Sequence, residues 1–509
     1  MYCSTYPRAD HYSLLLASRS LVALAMSAGV ATARDDRGDH RRFFDHGSLV
    51  ISSSTYDPTK GAVASLMVGT PLPDTATTTI RAVSDNNYVT VWNNASVDGS
   101  FGVTSPIQLT DVDAFNGRIR HSLAVPTDQV VTSFSSKSEL GLHFIRDWRG
   151  PHLIFVAYAG AGVGALDVSN SDVVAGQDPT NPVTFAFGKH YAFHRTIVSM
   201  DDYGELAYTP TIDYGGNNGR SALLGSNGLY YAVGNANNGN AAAFGPANGT
   251  NPDVTQTTGL EVVNPINAHS ADVAIPADNS AQVDPLLQFD SDKPGKDNNY
   301  RGVREYRGAL YFTKGSGSNG IDTVYTVDTL PTLANAASTT INIVPGFPTD
   351  PAKAPGPDFT PFAVFFANPT TMYVTDEGTG NATDTANHAG LEKWSLINGT
   401  WQLDYVLTQG LIGTVDTNLT GKDGPYPNVT AIGLRNLTGI VHGDGTVTLW
   451  ATTSTSSASG DNGADPNKVV RITDDVTATT MTGRVMKESF ETVAGPTYGT
   501  VYRGVAYVD

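Results

Sequence analysis

Through most of the chain, short runs of Val, Thr, Tyr and Ile alternate with polar residues, and clusters of Gly, Asn, Asp and Pro break them roughly every ten residues. Alternation with period two places every second side chain on one face, which is the signature of a strand rather than a helix. Only two short stretches carry a helical period, at 138–145 and in the alanine-rich segment around Asn240. The pattern therefore predicts an all-β protein.

The strands recur in phrases. Tyr300-Arg-Gly-Val303 leads into a Gly-containing turn and the aromatic run Ala309-Leu-Tyr-Phe312. Gly219-Arg-Ser-Ala222 leads through Asn227-Gly228 into Leu229-Tyr-Tyr-Ala232. Weaker copies start at Ile80, Leu140, Phe362 and Leu437. The last copy is split: Tyr502-Arg-Gly-Val505 supplies its first half, and Gly47-Ser-Leu-Val-Ile51 supplies the strand that should follow. Such a division is how a β-propeller joins its two ends and removes an exposed sheet edge. The expectation is one propeller of about seven four-stranded blades over 47–509, spaced by roughly 55 to 85 residues and closed by the terminal strands. A sandwich array would show linkers, and a β-helix would have a shorter repeat; neither is seen.

The segment Gly390-Leu-Glu-Lys-Trp394 to Asp404-Tyr-Val-Leu407 reads as a hairpin with Asn398-Gly399 at its turn, a strong short-range signal. Together with Asn217-Asn-Gly-Arg220, Leu437-Thr-Gly439, Leu449-Trp-Ala-Thr-Thr453 and Arg503-Gly-Val505, it resembles a group of secreted, mostly uncharacterised β-propeller-like repeat proteins. The resemblance covers most of 47–509. It implies a fold and an extracellular setting, and it carries no catalytic residues across.

The N-terminal region fits that setting. An apolar stretch at 21–30, preceded by Arg19 and followed by Ala31-Thr-Ala33, has the form of a signal peptide over 1–33. It is shorter than the roughly 20 residues that span a bilayer. A charged segment follows at 34–46, in which Arg41-Arg42 is a candidate processing site and Arg37-Gly-Asp39 a chance tripeptide. The only cysteine, Cys3, lies within the leader, which excludes thiolate catalysis and cysteine-bound metal from the remainder. Net charge is −18, and loss of Arg8, Arg19 and Asp10 with the leader makes it −19. So acidic a chain repels nucleic acid and anionic membrane, leaving a glycan or an extracellular protein as the expected partner of a monomer. Seven glycosylation sequons, at Asn94, Asn248, Asn381, Asn398, Asn418, Asn428 and Asn436, point to a glycoprotein.

Candidate chemistry is sparse. Arg81, Arg220, Arg301 and Arg503 hold one position of the repeat, just before the first strand, where Glu139, Phe362 and Leu437 stand in the other copies. Arginines converging on a channel mouth would bind carboxylate or sulfate; alternatively each is a strut bonding carbonyls of the next blade. His143, with Arg146 and Asp147 nearby, is a candidate base. His190 and His194 lack the glutamate of a zinc-protease helix. Asp290, Asp292 and Asp297 form part of an oxygen-ligand loop for a structural calcium, although Pro294 and Arg301 break the EF-hand pattern. Asp376-Glu-Gly378 with Asp384, and Asp461 with Asp465, are similar. No other cofactor is expected. No nucleophile elbow, phosphate loop or dinucleotide motif is present. The expectation is a binding or scaffold propeller using face loops, and the alternative is a lyase or hydrolase on an acidic glycan.

Overall fold

The computed structural model describes residues 42–65, 67, 103–134, 140–160, 162–166, 168, 185–186, 189–190, 194–215, 217–236, 258–276, 278–285, 298–315, 319–352, 354, 359–379, 389–421, 424–456 and 465–509. Six sheets of four or more strands form a propeller-like ring. Sheet 1 runs, from the inside outwards, Thr500–Tyr507, Ser48–Thr55, Ile107–Asp113 and Ile119–Ala124. In sheet 2 the order is His143–Asp147, Gly150–Ala159, Arg195–Asp201 and Leu206–Thr211, with Val130–Phe134 and Val103–Ser105 added beside the second strand. Sheet 3 comprises Gly219–Leu224, Tyr230–Gly234, Gly259–Val263 and Ser280–Gln282; sheet 4 comprises Val303–Tyr306, Ala309–Lys314, Thr323–Val327 and Asn342–Ile343. Sheet 5 consists of Pro361–Asn368, Thr371–Asp376, Gly390–Ile397 and Thr400–Leu407. Sheet 6 consists of Val429–Val441, Thr446–Ser456, Val469–Asp475 and Glu491–Ala494, with Gly413–Val415 on the inner side.

Apolar clusters lie between successive sheets and explain the composition of the strands. Ile154, Val156 and Ile197 of sheet 2 pack on Ala222, Tyr230 and Val263 of sheet 3. Leu223, Tyr231 and Leu260 meet Val303, Leu310 and Phe312 between sheets 3 and 4. Val324 of sheet 4 joins Val364, Phe366 and Trp394 of sheet 5, whose Phe365 and Tyr373 join Leu434, Leu449 and Val470 of sheet 6. Trp450 and Val469 of sheet 6 pack on Leu49, Ile51 and Val505 of sheet 1, and Val50, Leu109 and Ala506 of sheet 1 pack on Leu153 and Phe155 of sheet 2. Each sheet therefore has a neighbour on both faces. Strands such as Tyr230–Gly234 are buried throughout, where simple alternation would leave one face wet. Buried Thr and Ser fill many remaining positions, as along Thr446–Ser456.

The two ends of the chain share a sheet as expected. Leu49 pairs with Tyr507, Ile51 with Val505 and Ser54 with Val501, antiparallel, with a bulge between Ile51 and Ser53. The hairpin at Asn398-Gly399 also forms, with φ of 53° and 82° at the two turn residues, as a type I′ turn requires.

Two expectations are corrected. The ring holds six sheets rather than about seven. Ser48–Thr55 pairs directly with Ile107–Asp113, so everything at 56–106 connects two neighbouring strands of sheet 1. The supposed copy at Ile80, itself outside the described residues, falls in that connection, and the packing of sheet 1 on sheet 2 leaves no gap for a separate blade. The helical reading of 138–145 also fails: His143–Asp147 is a strand paired with Gly150–Ile154. The helical elements that lie wholly within the described residues are the three-residue 3-10 turns Val63–Ser65, Ala336–Ser338 and Val485–Lys487.

Candidate functional site

Strand direction sorts the connections onto two faces. Links from second to third strand leave the face where the inner strands begin, and those from first to second leave the opposite face. The first kind are long: 56–106, 160–194, 235–258, 315–322, 377–389 and 457–468. The second kind are tight, at 148–149, 225–229, 307–308, 369–370 and 442–445. The longest of these connections thus leave and re-enter the ring at one face.

The repeat arginines stand at that face. Arg81 lies outside the described residues. Arg220, Arg301 and Arg503 are 3%, 1% and 2% exposed and reach towards neighbouring sheets. Arg220 Nε donates to Asn299 Oδ1 at 3.1 Å, ahead of sheet 4. Arg301 Nη2 lies 3.6 Å from Glu377 Oε1, which follows the second strand of sheet 5. Arg503 Nη2 donates weakly to the Ser133 carbonyl at 3.5 Å, in sheet 2. Sequence reasoning missed two further members. Arg435 Nε donates to Glu377 Oε2 at 3.0 Å, so Glu377 sits between arginines of sheets 4 and 6. Arg195, at the start of a third strand, donates to the Asn217 carbonyl ahead of sheet 3.

The backbone of the repeat is stitched in the same way. Ser52, Thr313 and Thr452, all on second strands, donate to the carbonyls of Leu140 (2.9 Å), Phe362 (2.6 Å) and Arg503 (3.2 Å) in the next sheet. Phe362 and Arg503 are at the repeat position the arginines mark, and in the second sheet that place is taken by Leu140, one residue beyond the Glu139 expected from the repeat. The following glycine is needed because the neighbour comes so close: a Cβ on Gly302 would lie 2.5 Å from the Phe362 carbonyl, and one on Gly504 would overlap that of Leu140.

Further along the inner strands, His143 Nε2 is 3.0 Å from Ser221 Oγ of sheet 3. Burial, reinforced by the Arg304 guanidinium of sheet 4, lowers the imidazole to about 3. Burial also lowers Arg304, which lies over the Phe365 ring at 5.5 Å, with Asp509 acting in opposition. Arg146 Nη2 donates to the Asp509 backbone oxygen at 2.8 Å. A catalytic base works best with a pKa near the operating pH. An imidazole near 3 is neutral at pH 7 and weakly basic, so this group is suited to hydrogen bonding and poorly suited to proton abstraction.

The other sequence candidates have ordinary surroundings. Asp290, Asp292 and Asp297 lie outside the described residues. Asp376 accepts bonds from Thr360 and from the Gly378 amide (2.8 Å), and burial, then Glu392, raises it to about 7. Asp465 accepts bonds from Tyr426 and Thr455. Lys189–His190 pairs with Phe185–Ala186 as a two-residue strand. Of the sequons, Asn398, Asn418 and Asn428 are exposed. Asn436 is buried and donates to the Arg503 carbonyl at 2.7 Å, so its amide is engaged in the folded ring.

No protein-family model matches the chain, and no curated protein matches its sequence. Among solved structures, the chain is similar to an S. cerevisiae complex of a dbp5 variant bound to nup159, a gle1 variant, ip6 and adp, at 8% identity and a TM-score of 0.29, covering 85% of this chain and 80% of that one. A chimera of ACO and RPE65, solved in a trigonal crystal form, is similar at 11% identity and a TM-score of 0.21, covering 86% and 64%. Likenesses this distant say nothing about the site.

Proposed function

We propose that this protein is a secreted binding or scaffold propeller, whose ring is closed by its two chain ends and whose long connections contact a glycan or an extracellular protein. The observation that carries this reading is the segregation of the long second-to-third connections onto one face. Binding residues sit disproportionately on loops held by a rigid frame. The buried arginines and the Ser and Thr bridges belong to that frame, since their partners lie in adjacent sheets. Loss of the leader, modification of exposed sequons and a monomeric state go with the same reading.

The test is a glycan array run beside an unsaturated-uronate absorbance assay on the same acidic glycans. Saturable binding without absorbance change is expected; an absorbance increase would establish the enzyme instead. A second reading places binding on the opposite face, where Trp148 is 91% exposed at the tip of a tight hairpin. An exposed indole is a stacking surface for a sugar ring. Trp148→Ala would abolish glycan binding on that reading and leave it unchanged on the first.

A further inference from the structure

Asp111 of sheet 1 is fully buried; the Ser48 hydroxyl and the Asp45 backbone lie beside its carboxylate, but neither is in good hydrogen-bonding geometry with either oxygen. An isolated carboxylate is costly to desolvate, so something of opposite charge is expected to face it. Its cross-strand partner in the register is His121, and Asp45, from the segment leading into Ser48–Thr55, completes a cluster whose ligand atoms lie within 4.8 Å of one another. His121 Nε2 and Asp45 Oδ2 are 3.7 Å apart. A β-bulge between Asp111 and Val112 inserts Arg120 as an extra residue beside His121. Bulges re-aim side chains in this way. The Ser48 hydroxyl, also fully buried, lies beside the same carboxylate.

Arg120 is the rival explanation, being a cation already in place. Its guanidinium bonds Asp113 through Nη2 at 3.0 Å and the cluster's Asp45 through Nη1 at 3.4 Å, and it reaches Asp111 through its charge and not through a hydrogen bond. Three carboxylates, Asp45, Asp111 and Asp113, face one guanidinium and one imidazole. A dication would balance the charge that one guanidinium leaves on three carboxylates.

The geometry points to a divalent transition-metal site, of the zinc or manganese class, formed by Asp45, Asp111 and His121. One imidazole and two carboxylates suit those ions better than calcium, which takes oxygen ligands alone. Tetrahedral ligands at about 2.0–2.2 Å from one ion lie roughly 3.3–3.6 Å apart, close to the 3.7 Å between His121 Nε2 and Asp45 Oδ2 and inside the 4.8 Å that bounds the cluster. Asp45 and His121 are 44% and 32% exposed, which gives the ion a path from solvent while Asp111 forms the inner wall. The site would tie the segment carrying Phe43 and Phe44, which pack in the core between sheets 1 and 2, to the sheet where the chain ends meet. Arg120, bonded to Asp45, would be the outer group that orients a ligand.

The test uses the full chain, stripped with chelator and titrated with ZnCl2, MnCl2 and CaCl2 by calorimetry. One equivalent of zinc or manganese should bind, with calcium roughly tenfold weaker or more. Asp111→Asn and His121→Gln should each weaken zinc by roughly tenfold or more, while His442→Ala, on sheet 6, changes nothing. Imidazole nitrogen coupling in the spin-echo spectrum of bound manganese should vanish in His121→Gln. If Asp111→Asn fails to fold, His121→Gln carries the same test. Absence of stoichiometric binding, or wild-type affinity in His121→Gln, overturns the site.

Discussion

Lys393 and Asp474 form an ion pair that is buried completely on both sides, 3.2 Å from Nζ to Oδ2, at the junction of sheets 5 and 6. Asp474 also accepts bonds from Tyr405 and Tyr373, while Lys393 donates to Tyr405 at 3.0 Å and to the Asp475 carbonyl. Asp474→Asn keeps the shape and removes the counter-charge. Breaking a buried pair from one side costs about 3–5 kcal/mol, because the survivor is left uncompensated. Urea unfolding should therefore place Asp474→Asn about 3–5 kcal/mol below the parent. Adding Lys393→Met should cost less than the two single losses combined, by about 2 kcal/mol. A single-variant loss below about 1 kcal/mol would refute the claim that this pair is desolvated.

Gly504→Ala should destabilise by about 1–3 kcal/mol, because the new methyl meets the Leu140 backbone, whereas Gly443→Ala, with open space around it, should be neutral by the same urea assay. Burial, then Asp474, raises Glu488 to about 8, above its ordinary value of 4.5. An acid raised in the fold supports it fully below the unfolded pKa and loses that contribution as pH climbs towards the folded one. Thermal melts from pH 4 to 9 should show Glu488→Gln gaining on the parent as pH rises; a constant difference would mean that Glu488 does not titrate there.

Much of the ring could be read from the sequence, for identifiable reasons. Arg301-Gly302 and Arg503-Gly504 stood out because one position needs a strut and the next tolerates no Cβ, so packing imposed a visible phrase. The split terminal copy was legible because its two halves have the lengths and turn residues of an intact one. The sheet count was not legible, since alternating residues near Ile80 specify strand-like chain but not which sheet would receive it. Arg435 escaped because its strand is bulged between Leu434 and Leu437, which shifts the repeat. Asp111, His121 and Asp45 gave no signal at all. They are single residues at unrelated spacing, and only strand register brings them together.

The proposal that the ring is closed by the pairing of its ends is tested directly by hydrogen exchange. Amides of Ser48–Thr55 should be among the most protected in the full chain, because that strand is bonded on one side by Ile107–Asp113 and on the other by Thr500–Tyr507. Removing residues 502–509 should strip that protection and lower the unfolding midpoint of the whole chain. If the shortened chain folds with Ser48–Thr55 still protected, the ends do not close the ring.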